Sequence, residues 1–149
     1  MKYLAIIVVF VLTFAAPAHA DAPGTYAISA PVATDGDTIK GDVVLWRFPR
    51  MTITIPVRVA GIDTPELKGN GQRAIPPCEK VLAKAAMAFT SQWLNANHSV
   101  TISNVAQDKY GPRVEAVVAS IDGSLLSGAL LAAGHARPYN GGARQPWCQ

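Results

Sequence analysis

Residues 58–66 read Arg58-Val59-Ala60-Gly61-Ile62-Asp63-Thr64-Pro65-Glu66. They close a longer alternating run. Over residues 51–62, Ile53, Ile55, Val57 and Val59 share one face, while Thr52, Thr54, Pro56, Arg58 and Ala60 share the other. That period of two is the pattern of a half-buried strand. Pro56 inside it predicts an edge or a bulge. The run ends in two carboxylates three residues apart. Asp63 and Glu66 have the spacing of a helix capping box, but the residues that follow, Leu67-Lys68-Gly69-Asn70-Gly71, oppose a helix. Capping therefore leaves the pair unexplained.

Outward from this strand the chain falls into short elements. Upstream, residues 22–34 are rich in small and β-prone side chains and predict a first strand ending near Val32. Asp35-Gly36 is a turn pair. A second strand starts at Thr38 and resumes through Val43, Val44, Leu45 and Trp46, with Phe48-Pro49-Arg50 as the next turn. Downstream, residues 67–77 form a loop with two glycines and two prolines. A helix over residues 78–96 follows, with Leu82, Ala85, Ala86, Phe89 and Trp93 as its apolar face. Residues 98–105 and 113–121 read as two more strands, and 125–133 as a short helix stopped by Gly134. The tail, 135–149, shows no regular pattern. Five strands, with a helix between the third and fourth and a short helix after the fifth, is the order of an OB-fold barrel, an α+β architecture.

A chain of 149 residues, half of them hydrophobic, is enough for one domain with a real core. The 13 basic and 10 acidic side chains leave a mildly basic net charge of +3, compatible with a polyanionic ligand but no argument for one. Residues 1–20 stand apart. Lys2, an apolar run over 3–14 and the small-x-small Ala18-His19-Ala20 make a signal peptide. The run is short for a membrane span of about 20 residues. Residues 21–149 are then the working domain, exported to the periplasm or beyond the cell. In an exported chain the two cysteines, Cys78 and Cys148, read as one disulfide tying the start of the long helix to the chain's last residues. Two cysteines with no histidine at ligand spacing do not make a zinc site.

Three polar clusters ask for a common chemistry: Asp35-Gly36-Asp37-Thr38, the 58–66 stretch, and Lys109-Tyr110-Gly111-Pro112-Arg113. Taken singly each has a bland reading, a hairpin turn, an exposed strand arginine and a solvated loop. Together they suit metal-assisted cleavage of a phosphodiester. Asp37, Asp63 and the Thr64 carbonyl offer hard oxygens to a cation. Glu66 beside them is a general base for water. Arg58 and Arg113 can bind a phosphate bidentately and stabilise growing charge. Lys109 and Tyr110 can hold a neighbouring phosphate. His98 and His135 lie in no recognisable nucleophile motif and are read as structural.

With these residues in order, the chain resembles the staphylococcal nuclease family, the calcium-dependent thermonuclease type. The resemblance runs in outline over residues 34–139. It implies an OB-fold, a calcium ion held by Asp37, Asp63 and the Thr64 backbone oxygen, Glu66 activating water, and Arg58 and Arg113 on the scissile phosphate. Lys109 and Tyr110 would serve the adjacent phosphate, and Tyr139 would lie near the bound nucleotide. The implied reaction is hydrolysis of DNA and/or RNA to 3′-phosphate ends by a monomer with no stable protein partner. The chain departs from the family's best-known member in three places. Pro112 separates Gly111 from Arg113, the segment between Thr38 and Arg58 is longer, and a lysine-rich third helix is missing. The rival reading is a non-catalytic OB-fold module for nucleic acid or a partner, or a calcium-stabilised structural domain.

Overall fold

The computed structural model describes residues 24–47, 50–69, 73–109 and 111–148. The leader expected at 1–20, the turn expected at Phe48-Pro49, and Tyr110 lie outside the described residues. Five long strands form the body: β1 (Thr25–Ala33), β2 (Thr38–Arg47), β3 (Arg50–Val59), β5 (Val100–Gln107) and β6 (Val114–Ser120). Their order is β1-β2-β3-β6-β5, closing back on β1. All pairings are antiparallel except β3 with β6, which run parallel. The 20-residue helix α1 (Pro77–Ala96) lies between β3 and β5 in the chain, and the short α2 (Leu126–Ala132) follows β6. This is the OB-type barrel expected from the order of elements.

Two irregularities let so few strands close. The register shifts in β1 between Ser29 and Val32, where Ala30 takes a φ of 47°, and in β5 between Ser103 and Ala106, where Asn104 takes a φ of 51°. Such bulges bend a strand and increase its twist. Ile28, just before the first, pairs with Val43 of β2 on one side and Val100 of β5 on the other. Pro56 pairs with Lys40 of β2, and the β6 partnership starts only at Val57. Its missing N–H therefore falls where β3 still has a free edge.

Val57 and Val59 enter the core as their alternation requires, with Ile39, Ile62, Ile102 and Val118. Ile53, given the same face, is exposed because the far end of the β2–β3 hairpin extends past the barrel. The helix α1 differs from expectation. Its buried positions are Glu79, Ala83, Ala86, Thr90 and Leu94, while Leu82 is 41% exposed and Ala85 also faces solvent. Phe89 and Trp93 pack against the core from its margin. The face is turned because α1 approaches the acidic loop closely, which small residues allow and Leu82 would prevent. The tail also holds more order than its sequence suggests. Arg137–Pro138, strand β7, pairs with Ile62–Asp63, strand β4.

Candidate functional site

The site is assembled at the mouth of the β2–β3 ladder. Thr38 opposes Arg58 in register, and the Val59 N–H donates to the Asp37 carbonyl at 2.8 Å. Asp37 is thereby set beside Arg58, whose side chain points away from the Val57 and Val59 face. The chain then reverses at Gly61, whose φ of 78° is unfavourable for other residues. The two-residue β4 returns Asp63 to the same place. Residues 64–69 form no helix, in keeping with the absence of a capping role for Asp63.

Gly36 is needed for space. A Cβ there would meet Ala86 Cβ at 2.8 Å and Thr64 Oγ1 at 2.8 Å. The Thr90 hydroxyl donates to the Gly36 carbonyl at 2.6 Å. The Asp35-Gly36-Asp37 loop is thus pressed between α1 and the Thr64 segment, with both aspartates kept close to residues 63–66.

Ion pairs bind the cluster. Arg58 Nη2 lies 2.8 Å from Asp37 Oδ2 and 3.6 Å from Asp63 Oδ1, and donates to the Ile62 carbonyl at 3.5 Å. Arg144, from the tail, places Nε 3.1 Å from Asp63 Oδ1 and pairs Nη1 with Glu66 Oε1. The Glu66 backbone N–H donates to Glu79 Oε1 at 3.2 Å. Glu79 is fully buried, and its other oxygen is paired with Arg73.

Crowding of carboxylates shows in their protonation. Burial pushes Asp35 up to about 7; the Gly36 N–H on its Oδ1 opposes this, and the nearby charges of Glu66 and Asp37 add to it. Burial also raises Asp37, against the pull of Arg58. Asp63 is raised for the same reason, against Arg144 and then Arg58. For Arg144, burial works against the charge. The hydrogen bond and charge of Glu66, with Asp63 and Asp37, outweigh it and hold the guanidinium protonated.

Two oxygens decide whether a cation suits the site. Asp37 Oδ2 and Asp63 Oδ1 are buried and receive no hydrogen bond of acceptable geometry, although guanidinium nitrogens lie within ion-pairing range. Buried hard oxygens met only by ion pairs fit calcium, which takes oxygen ligands in flexible numbers. Among the described residues no cluster of three or more acidic, histidine or cysteine side chains forms a metal cage. The two carboxylates would need the Thr64 carbonyl and water or substrate oxygens to complete a shell. Thr64 is 1% exposed and directly follows Asp63.

The other residues singled out from sequence are distributed as follows. Arg113 pairs with Asp108, Nε to Oδ2 at 2.6 Å, across a loop closed by the Asp108 N–H on the Arg113 carbonyl. Lys109 is exposed in the same loop. Tyr139 sits on the site's rim, its N–H donating to Gly61 and its ring 5.9 Å from the Arg144 guanidinium carbon. Cys78 and Cys148 form the disulfide. Sequence reasoning missed Arg144, Glu79 and Arg73. The one available signal was the cysteine pair. It brings Cys148 to the helix start, and with it Arg144 four residues earlier.

No curated protein matches this chain. Residues 56–146, more than half of it, match the family model described as staphylococcal nuclease homologue. That match spans the Arg58–Glu66 strand end, the long helix, the Asp108–Arg113 loop and Arg144, and with the closed barrel it assigns the chain to the staphylococcal nuclease homologue family.

Proposed function

We propose that the protein is a calcium-dependent nuclease that hydrolyses phosphodiester bonds of DNA and/or RNA and leaves 3′-phosphate ends. The observation that carries this reading is the meeting at one barrel mouth of Asp37 and Asp63 with the buried Arg58, and of Asp63 and Glu66 with Arg144. Carboxylates alone repel a phosphate backbone, so their grouping with guanidiniums suits a site that takes both a cation and a phosphate. Asp37, Asp63 and the Thr64 carbonyl are the residues to hold calcium. When bound, the ion would supply polarisation of a phosphate oxygen.

The chain's own groups supply the rest. Glu66, with a side chain 25% exposed, can receive a proton from an attacking water. Its backbone is held by Glu79, which limits drift of the carboxylate. Arg58 is buried among the acids and offers fixed positive charge as the phosphate gains negative charge. Lys109 and Tyr110 serve the adjacent phosphate in this reading, and Tyr139 on the rim meets the nucleotide. The apolar leader with its Ala20 cleavage point, and the disulfide, support export and work outside the cytoplasm.

The experiment is cleavage of single-stranded DNA by the purified protein, with calcium and then with chelator, beside Glu66→Gln. Cleavage that requires calcium and falls by about 10²-fold or more in the variant is expected. Undiminished cleavage by a folded Glu66→Gln would remove Glu66 as the base. Binding without cleavage by the folded wild type would favour the non-catalytic module.

A further inference from the structure

We infer that Arg144, carried by the tail that the Cys78–Cys148 bridge ties to the start of α1, is a second substrate-contacting arginine of this site and binds a phosphate of the nucleic acid. This rests on the nuclease reading above. Three arginines are candidates for phosphate contact, and their surroundings differ. The Arg58 side chain is 8% exposed and packed against Asp37, Asp63 and the Ile62 carbonyl. Arg113 turns its Nε to Asp108. Arg144 has a side chain 29% exposed, lies at the mouth, and touches both Asp63 and Glu66. A guanidinium carries five N–H donors in a planar fork. Nε and Nη1 face Asp63 and Glu66, which takes up only part of that fork.

The tail is built to hold that position. Gly141 and Gly142, with φ of 97° and 99°, bend the chain before Arg144, and the Tyr139 hydroxyl donates to the Gly142 carbonyl at 2.8 Å. Beyond Arg144, Arg137 donates to the Pro146 carbonyl at 3.0 Å and stacks over the Trp147 ring at 3.7 Å. Cys148 then closes the bridge to Cys78, next to Glu79, which holds the Glu66 backbone. Arg144 is therefore tied to the helix that positions the base. A phosphate arriving at Arg144 would draw its fork from Glu66 and leave that carboxylate to accept a proton.

The test uses binding, so that it does not depend on turnover. A fluorophore-labelled single-stranded oligodeoxynucleotide is titrated into Glu66→Gln, Glu66→Gln/Arg144→Ala and Glu66→Gln/Arg144→Lys, in calcium, across a range of salt. Loss of one phosphate contact should weaken binding about tenfold and flatten the slope of log affinity against log salt by about 0.7. Arg144→Lys should keep the slope, since it keeps the charge, and so separates a lost contact from a loosened tail. Unchanged affinity and slope in Arg144→Ala would overturn the inference and leave Arg144 a tie for the acids. Tighter binding would also overturn it, making Arg144 a plug. The wild-type cleavage assay fails separately: cleavage with an unaffected slope removes only Arg144, and no cleavage with an Arg144-dependent slope removes only the hydrolytic reading.

Discussion

Asp35 is the residue on which the site's charge balance is most visible. Its neighbours Asp37 and Glu66 are acidic, and burial holds its carboxyl up to about 7 in place of the usual 3.8. The folded protein thus binds a proton that the unfolded chain has released over the interval between those values. The corresponding stability is complete below pH 3.8 and is lost as pH rises through about 7. In chelator, Asp35→Asn should therefore gain on the wild type as pH is raised from about 5 to about 8 in urea melts. A difference that does not grow with pH would show that Asp35 titrates normally. At this scale the carboxylates and Arg58 were legible from sequence, because they sit within one strand end and one turn. Arg144 was not. It is 78 residues from Glu66 in the chain, and an isolated arginine in a Gly- and Pro-containing tail carries no local signal.

At the scale of elements, the contact between α1 and the acidic loop governs the site. The Asp-Gly pair predicts a turn, and residues 34–38 do turn, through the Thr34 and Asp35 N–H groups on the Thr38 carbonyl. The reason for glycine lies elsewhere, in Ala86 and Thr64, 2.8 Å from where a Cβ would stand. Gly36→Ala should destabilise the protein by about 1–3 kcal/mol in denaturant melts, since neither the helix nor the buried Thr64 can easily yield. It should also weaken calcium binding, measured by titration calorimetry, by moving Asp37. Ala86→Gly in the same chain should recover part of both losses. Additive losses in the double variant would mean that the two residues do not press on each other. The same contact explains the turned helix face. Counting apolar residues favoured Leu82 and Phe89. The packed face was set instead by what is small enough at 83 and 86, and by Thr90, which supplies the Gly36 carbonyl with its donor.

For the whole molecule, the bridge between Cys78 and Cys148 joins residues 70 apart and fastens the tail to the barrel's helix. Cys148→Ser should lower stability by about 2–5 kcal/mol, the usual range for a native disulfide in a small domain. Reductant should reproduce this in the wild type. At a temperature where the variant stays folded, its affinity for single-stranded DNA should fall as well, because Arg144 loses its anchor. Full affinity in a destabilised Cys148→Ser would show that the tail positions nothing in the site. The sequence by itself determined much of this protein. Alternation and turn pairs located the five long strands, periodicity located the long helix, Gly134 marked the end of the short one, and the order of these elements implied the barrel. Those signals are local, recorded in residues within a few positions of one another. Only the tertiary structure decided that β3 runs parallel to β6, that the tail returns as β7 beside Asp63, that α1 buries its small residues, and that Arg144 meets Glu66. Each of these depends on distance in space between residues far apart in the chain, where charge and van der Waals contact act without regard to sequence separation.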